Sequence, residues 1–486
     1  MVAKTECGNL VVFSILRESK CSECNQELSK GNFLLKEGER GLCMSCADLD
    51  ELMYLPSGDA ALTRRARKYS PLWAVVVRFS RARGRFILQC VVAMFSEDFD
   101  LLPKGLFSEL LNDSAGGESS YDLLGSLFRQ MNSEAHARGG RFRDVSYFNG
   151  GLFSVIDPID LRKDELLLLM DASSENWGKV APPIFGTLFQ SSMDRTERHA
   201  YGAHFTNEAD IQKAVRPTIV RPWRDRIAQA STLKELRDLA DALLSFRVLD
   251  PACGSGNFLY IAYRELVNVE MEILAKIHEN FGDRAQKAVG TASLLSTRQF
   301  YGIDRDSFAI ELAKVTLMLA KRVALAETRE SWFAEHSDLP FEFGSALPLD
   351  NLDANIKCDD ALFADWPAAD VIIGNPPYQS KNKMQKEFGR VYLNRVRSRY
   401  PDVPGRADYC VHWFRRAHDQ LPIGGRTGLV GANTIRQNYS REGGLDYIVR
   451  HGGTITEAAG TTSVLFRRAL GNLRKPRATH DPFCPR

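Results

Sequence analysis

An apolar run that ends in two prolines is the feature that most constrains this chain. Val371–Gly374 is predicted to be a buried strand, and it is followed directly by Asn375, Pro376, Pro377 and Tyr378. Each proline fixes φ and lacks an N–H, so neither a strand nor a helix can continue through the pair. The strand end therefore holds two acceptors, the Asn375 side-chain oxygen and the Pro376 carbonyl, beside an aromatic ring. This set suits the exocyclic amine of a flat base stacked on Tyr378; a rigid turn is the alternative that these four residues alone leave open.

A glycine-bearing turn lies upstream of that strand. Residues 246–250 are predicted to form a strand, and residues 251–259 a turn that leads into a helix. Gly254 and Gly256 allow the backbone to turn sharply and to approach a ligand closely. The turn has neither the Gly-Lys-Ser/Thr of a phosphate-binding loop nor the spacing GxGxxG. We therefore expect a nucleotide-type site at the carboxyl end of a parallel strand.

Two further acids follow predicted structural elements. Residues 299–304 are predicted to form a strand that ends in Asp304, followed by a helix over residues 307–319. A carboxylate at such a strand end can accept two hydrogen bonds from a ribose diol, so we expect Asp304 to be a ribose ligand. Capping of the following helix is the alternative role for an acid here, and it fits Asp306. Asp360 precedes an apolar Ala-Leu pair that would anchor its loop.

These segments together resemble a known motif series. In order along the chain, DPACGSGNFL, YGIDRDSFAIELAKVTL, DDAL and GNPPY are similar to the motifs of S-adenosylmethionine-dependent N6-adenine DNA methyltransferases. Residues 201–206, YGAHFT, resemble the segment that covers the methionine end of the cofactor, and their upstream position corresponds to the gamma arrangement. More narrowly, residues from about 86 to about 457 resemble the MmeI-like methyltransferases of single-chain bacterial restriction–modification systems. The resemblance implies an α/β fold with a Rossmann-like methyltransferase core.

The resemblance also implies a pocket for S-adenosylmethionine. Phe205 and Thr206 would hold the methionine carboxylate. Asp304 would take the ribose hydroxyls, and Asp360 would lie near the adenine. The remaining pocket residues come from the glycine turn: Asp250, Pro251, Ala252, Gly254, Gly256, Asn257 and Phe258.

The implied reaction is methyl transfer to adenine N6 in double-stranded DNA. Asn375 and Pro376 would accept hydrogen bonds from the target amine, and Pro377 completes the catalytic segment. Tyr378 would stack on the base, which has to leave the duplex to enter the pocket. Two other hypotheses stay open: methylation of an RNA base or a protein glutamine amide, and an inactive, truncated remnant that only binds cofactor or DNA.

The cysteines indicate a separate module near the start of the chain. Cys21 and Cys24 form one CxxC pair, and Cys43 and Cys46 form a second. This spacing is typical of a structural zinc site with four thiolate ligands. Metal binding supplies folding energy to a module too small for a large core. The sequence therefore predicts a zinc cofactor here.

We expect four regions along the chain. Residues 1–85 resemble a small CxxC domain unrelated to the methyltransferase, with a basic segment at its end, and residues 86–182 form a helical spacer. Residues 183–459 form the methyltransferase domain, followed by an unrelated or disordered tail over residues 460–486. Because the resemblance stops near Glu457, we expect an incomplete domain that lacks both the hairpin closing its sheet and a target-recognition domain.

Composition is that of an ordinary globular protein. The chain has 486 residues, 44% of them hydrophobic, and a formal net charge of +2. Attraction to nucleic acid would therefore depend on clustered basic residues. We find no signal peptide and no apolar run of membrane-spanning length, so we expect a cytoplasmic protein without a membrane partner. The expected partner is double-stranded DNA, alongside a separate specificity or nuclease subunit if the chain lacks its own.

Overall fold

The structure is a computed structural model, and it describes most of the chain as a series of separate segments. These are residues 10–14, 19–28, 32–37, 40–53, 74–77, 81–99, 101–133, 135, 137–145, 147–148, 151–177, 206–282, 295–335, 351–459 and 463–468. Two compact units are present, Met1–Ile87 and Leu88–Arg486. In the described residues, no helix is long and apolar enough to cross a membrane.

The first unit is built from short strands. A four-stranded sheet has the order β5-β4-β1-β6, and β2 pairs with β3 in a separate hairpin. The strands are β1 Leu10–Ser14, β2 Ser19–Lys20, β3 Glu27–Leu28, β4 Phe33–Glu37, β5 Arg40–Cys43 and β6 Ala74–Val77. Val12, Leu35 and Leu42 form a small core together with Cys21 and Cys43. The first part of the predicted basic segment, residues 64–73, lies outside the described residues.

Helices follow, as predicted for the spacer. They are α1 Arg81–Asp98, α2 Leu106–Ala115, α3 Ser120–Met131 and α4 Lys163–Ser173, with a short 3₁₀ helix at Gly151–Phe153. Along α1 the apolar residues are buried almost continuously. The buried amide of Gln89 joins α1 to the 3₁₀ helix, because its Nε2 donates to the carbonyls of Leu152 at 2.8 Å and Val155 at 3.0 Å.

The second unit contains a twisted sheet with helices between its strands. Its helices are α5 Glu208–Val215, α6 Arg221–Gln229, α7 Leu233–Ser245, α8 Asn257–Phe281, α9 Ser307–Glu335, α10 Lys381–Arg399, α11 Val411–Gln420, α12 Asn438–Gly443 and α13 Leu445–Arg450. A π-helical turn, Arg216–Val220, joins α5 to α6, and 3₁₀ turns lie at Thr297–Gln299 and Asn433–Arg436. The strands are β7 Val248–Asp250, β8 Phe300–Asp304, β9 Ile356–Cys358, β10 Val371–Gly374, β11 Arg426–Val430, β12 Gly453–Ala459 and β13 Ser463–Arg468.

The sheet reverses its strand order beside β7. Its seven strands have the order β12-β13-β11-β10-β7-β8-β9. From β7 the chain builds β8 and β9 on one side and β10 and β11 on the other, with all of these pairs parallel. The carboxyl ends of β7 and β10 therefore lie side by side, where open α/β sheets bind their ligands. Leu249, Ile372 and Leu429 bury the centre of this sheet.

The expectation that the sheet lacks its closing hairpin is wrong. β13 pairs antiparallel with β11, from Arg426 opposite Arg467 to Val430 opposite Ser463, and β12 pairs antiparallel with β13. Part of the predicted unrelated tail is thus a strand inside the sheet. The resemblance to family motifs ends before this segment. Pairing with the free edge of β11 requires only a short run of strand-forming residues, and the sequence SVLFRR is such a run.

Removing β13 should destabilise the second unit. In a chain ending at residue 459, β12 loses β13, its partner strand among the described residues, and the edge of β11 is open. We expect the melting temperature of the second unit to fall by about 10 °C. Each kcal/mol of unfolding free energy that a domain of this size loses lowers its melting temperature by about 2–4 °C. A chain ending at residue 470 keeps β13 and should melt like the full chain when both are followed by circular dichroism. Equal melting of the two truncated chains would contradict this placement of β13.

Candidate active site

The Asn-Pro-Pro-Tyr segment begins where β10 ends, at the reversal of strand order. Gly374, the last residue of β10, has φ of +148°, and a Cβ there would overlap the carboxylate of Asp250. Glycine at this position therefore allows the ends of β7 and β10 to approach closely. As a result, the two polar side chains that the sequence singled out, Asp250 and Asn375, lie at the same edge of the sheet.

The carboxamide of Asn375 has one end engaged and the other end open. Its Nδ2 donates to Thr206 Oγ1 at 2.9 Å. Its Oδ1 is buried and has no hydrogen-bond partner. Because buried polar atoms are nearly always paired in folded proteins, an orphaned acceptor at a strand end indicates a place for a donor from a ligand.

Tyr378 extends from a segment that is fixed on both sides. Pro376 before it is buried. Gln379 after it donates its N–H to Asp408 Oδ1 at 3.2 Å, and its carbonyl accepts from the N–H of Tyr409 at 3.1 Å. The Tyr378 ring is 38% exposed in a protein whose large aromatic residues are mostly buried. Partial burial raises the pKa of Tyr378, and a hydrogen bond with Asn375 lowers it in part. The segment thus presents a ring beside an open acceptor.

The two glycines of the turn have different functions. Gly254 and Gly256 both have positive φ, +50° and +86°. A Cβ on Gly254 would contact nothing within 4 Å, so this position is open to a ligand. A Cβ on Gly256 would lie 2.9 Å from the Cα of Ala313, so this glycine allows α8 and α9 to pack. Of the two glycines, only Gly254 has the open space that close approach of a ligand requires.

Asp250 is buried beneath the turn with one carboxylate oxygen unpaired. It is 1% exposed; its Oδ1 accepts from the N–H of Ala252 at 3.0 Å, and its Oδ2 has no partner. Burial raises the pKa of Asp250 to about 8. Asn257, the first residue of α8, also has a buried side-chain oxygen without a partner. Two unpaired acceptors therefore flank the turn.

Asp304 connects the second strand to the turn. Its Oδ2 accepts from the N–H of Gly254, and its Oδ1 accepts from the N–H of Asp306, both at 3.0 Å. Burial raises the pKa of Asp304. Each carboxylate oxygen has a further lone pair, so these two bonds leave acceptor capacity. Asp306 caps α9, because its Oδ1 accepts from the N–H groups of Phe308 and Ala309. The prediction that Asp306 is a helix cap is therefore confirmed.

Asp360 is held by groups that the sequence did not indicate. Its Oδ1 accepts from the N–H of Leu362 at 3.0 Å, and its Oδ2 accepts from the hydroxyl of Tyr392 at 2.8 Å. The Tyr392 hydroxyl lies 2.5 Å from that of Tyr409. Arg305 lies over the Tyr392 ring, with its Nε 3.8 Å from Asp360 Oδ2. No spacing rule links Tyr392 on α10 to an acid that precedes β10, so only the fold reveals this contact.

Helix α11 holds two of the site loops through buried polar contacts. The indole N–H of Trp413 donates to the carbonyl of Pro251 at 3.0 Å. The guanidinium of Arg416 donates to the carbonyls of Ala361 and Ala364 and lies over the ring of Trp366. Arg416 is 6% exposed, whereas arginines on a short helix are normally solvated, so no sequence pattern predicts this function.

The remaining predicted residues are placed as follows. Phe258 and Cys253 are buried in packing positions, and burial raises the pKa of the Cys253 thiol well above its usual range, so this thiol is not an activated nucleophile. Phe205 lies outside the described residues. In the first unit, one sulfur atom from each of the four predicted cysteines falls in a single cluster, all within 4.8 Å of one another: Cys21, Cys24, Cys43 and Cys46.

The fold and the motif positions define a class of protein. A parallel sheet with this strand order, closed by an antiparallel hairpin and carrying a glycine turn after its central strand, is the fold of S-adenosylmethionine-dependent methyltransferases. Residues 226–461 match the family described as MmeI, DNA-methyltransferase domain, and residues 82–153 match MmeI, helicase spacer domain. The chain therefore carries an MmeI-like spacer domain followed by an MmeI-like methyltransferase domain.

Individual proteins share this similarity. DNA methyltransferase A of Bacillus subtilis is 28% identical over 416 residues, which cover 79% of this chain and 44% of that protein. A putative type II restriction enzyme and methyltransferase of Methanocaldococcus jannaschii is 23% identical over 46% of this chain and 21% of its own length. The structure of the type IIL restriction–modification enzyme MmeI in complex with DNA matches 80% of this chain and 54% of that chain, with a TM-score of 0.64 and 24% identity. This chain thus spans about half the length of its relatives or less.

Asp250 should make the stability of the second unit depend on pH. Its folded pKa of about 8 exceeds the ordinary value of 3.8, so above pH 4 its ionisation favours the unfolded chain. The Asp250→Asn variant carries no such charge and should gain stability relative to the wild type as pH rises from 4 to 8, by up to about 1.4 kcal/mol per pH unit. Urea unfolding at several pH values measures this difference. The exposed Asp238→Asn serves as a control, and a constant difference across the pH range would contradict the prediction.

Proposed function

We propose that this chain transfers a methyl group from S-adenosylmethionine to adenine N6 in double-stranded DNA, as part of a restriction–modification or phage-defence system. The observation that carries the proposal is the buried, unpaired Oδ1 of Asn375, fixed at the end of β10 beside the glycine turn. An acceptor in this place selects a ligand that donates an N–H. The half-exposed ring of Tyr378 next to it selects a flat one.

The chemistry follows from these two acceptors and the ring. When bound, S-adenosylmethionine supplies an electrophilic methyl on its sulfonium sulfur. The target amine would donate to Asn375 Oδ1 and to the carbonyl of Pro376, which directs the nitrogen lone pair toward that methyl. Held in this way, the amine would form its new N–C bond as the S–C bond of the cofactor breaks, and it would lose one proton to water. Orientation and electrostatics supply the acceleration, and Tyr378 stacks on the extruded base.

The same edge of the sheet carries the groups that would hold the cofactor. Asp250 and Asn257 each offer a buried, unpaired oxygen, and Gly254 offers space at its Cα. Asp304, next to Gly254, is suited to the ribose hydroxyls, and Asp360 to the adenine end. This division of functions follows the resemblance, and the unpaired oxygens support it because each awaits a donor group.

DNA as the substrate is supported by the matched domain and by a basic stretch. The MmeI structure with a similar fold was determined with DNA bound. In this chain the second half of α10 carries Arg390, Arg395, Arg397 and Arg399, and no acid occurs from residue 388 to residue 401. Such a run beside the Asn-Pro-Pro-Tyr segment suits contact with phosphates. Target choice would come from a part of the protein other than the methyltransferase domain, in this chain or in a partner.

Labelled cofactor and competing acceptors test this function. We expect the full chain to incorporate methyl into adenine-containing duplexes, with N6-methyladenine as the product by mass spectrometry. Asn375→Ala should lower the rate by at least about 100-fold, as loss of a catalytic hydrogen-bonding group commonly does. Tyr378→Phe should reduce the rate less than Tyr378→Ala, because phenylalanine keeps the ring that stacks and loses only the hydroxyl that is hydrogen-bonded to Asn375. Transfer to RNA or to a glutamine-containing peptide in preference to DNA would support the other acceptors, and cofactor binding without any transfer would support an inactive domain.

We infer that the cysteine cluster of the first unit binds a structural zinc ion. Tetrahedral zinc with Zn–S bonds of about 2.3 Å needs sulfur atoms about 3.8 Å apart. The sulfur atoms of Cys24 and Cys43 are 3.7 Å apart. Backbone N–H groups also point at sulfur, from Cys43 to Cys21 at 3.2 Å and from Cys46 to Cys43 at 3.4 Å, which suits thiolate ligands.

Metal analysis tests the zinc proposal. We expect one zinc per chain by mass spectrometry of the purified protein, and loss of that zinc in Cys21→Ser. Cys358→Ser, which changes an exposed cysteine of the second unit, should retain the metal. Because the ion would supply folding energy to the first unit, chelation should make that unit sensitive to protease. Equal zinc in both variants would contradict the assignment.

A further inference from the structure

Thr206 occupies a fixed position next to the catalytic segment. It lies two residues before α5, whose first turn is capped by Asn207: the Asn207 Oδ1 accepts from the N–H of Asp210 at 2.9 Å. Helix α5 packs on the sheet, in contact with β10 and β11. The hydroxyl of Thr206 therefore reaches Asn375 from next to the capped start of α5, and its 2.9 Å bond to Asn375 Nδ2 joins residues 169 positions apart in the chain.

The direction of the Asn375 carboxamide decides what the site can bind. With Nδ2 on Thr206, the oxygen remains as the buried, unpaired atom. If the amide turned over, its NH₂ group would take that place, and a target amine would meet another donor. A carboxamide has two nearly isosteric ends, so its shape alone cannot fix the orientation. A contact on one end is needed, and the hydroxyls of Thr206 and Tyr378 both supply one.

We propose that Thr206 is a positioning residue for methyl transfer: by accepting from Asn375 Nδ2, it holds Asn375 Oδ1 toward the target amine. This inference rests on the proposed function and adds a role for Thr206 that differs from the one expected from sequence. The resemblance to the methyltransferase motifs implies that Thr206 holds the methionine carboxylate of the cofactor. The hydroxyl can accept from Asn375 and still donate its own hydrogen, so the two contacts are chemically compatible.

Steady-state kinetics separate the two roles. If Thr206 orients Asn375, Thr206→Val should lower kcat at saturating cofactor and DNA by roughly tenfold, the range set by leaving a buried polar group unpaired, with an unchanged Kd for S-adenosylmethionine. Thr206→Ser keeps the hydroxyl and should restore kcat. Thr454→Val, at an exposed position on β12, is the matched control and should behave like the wild type. A raised Kd for the cofactor with an unchanged kcat in Thr206→Val would overturn the proposal.

A second measurement does not depend on activity. In protein labelled with ¹⁵N-asparagine, the side-chain NH₂ signal of Asn375 can be assigned by its loss in Asn375→Asp. We expect this signal to show slow hydrogen exchange in the wild type and in Thr206→Ser, and faster exchange in Thr206→Val. Unchanged exchange in Thr206→Val would refute the hydrogen bond. If the wild-type chain transfers no methyl group to any acceptor, the proposed function fails, and this measurement still decides whether Thr206 holds the amide.

Discussion

The parallel pairing of β7 with β10 is the constraint on which the site depends. β7 ends in Asp250 and β10 is followed directly by Asn375, and the pairing brings these two residues to one edge of the sheet. The approach is close enough that only glycine is accommodated at position 374, next to the carboxylate of Asp250. A parallel pair of this kind requires a long crossover, so residues far apart in sequence meet without any local signal. The spacing between Asp250 and Asn375 is therefore set by backbone hydrogen bonds rather than by loops.

The loops around that edge are held by polar side chains buried behind them. Trp413 and Arg416 project from α11 to the carbonyls of the glycine turn and of the loop that carries Asp360. Backbone carbonyls are the acceptors, so these contacts constrain the path of the chain and leave the site side chains free for ligands. Burying an arginine costs desolvation free energy unless its N–H donors are hydrogen-bonded. The donors of Arg416 are bonded to the loop that carries Asp360, and these bonds tie that loop to α11. The loops of the site are thus supported from behind by side chains that bond to their backbone.

Sequence patterns predicted the local elements well and the long-range contacts poorly. Apolar runs and glycine turns located β7, β8, β10 and the start of α8, because periodicity and backbone freedom act within a few residues. The same reasoning placed Asp306 at a helix cap. It could not connect Thr206 to Asn375, or Tyr392 to Asp360, because such pairs arise only when separate elements pack together. It also missed β13, since the family motifs end before that strand, although a short strand-forming run is present.

The closing hairpin has a consequence for how the sheet is assembled. β12 precedes β13 in the chain, yet β13 lies between β12 and β11. During synthesis from the amino end, β12 is complete before it has any strand to pair with, and β11 keeps an open edge until residue 468 has emerged from the ribosome. Open strand edges attract other chains. Pairing of β13 therefore covers the edge of β11 later in synthesis than any other pairing in the described sheet.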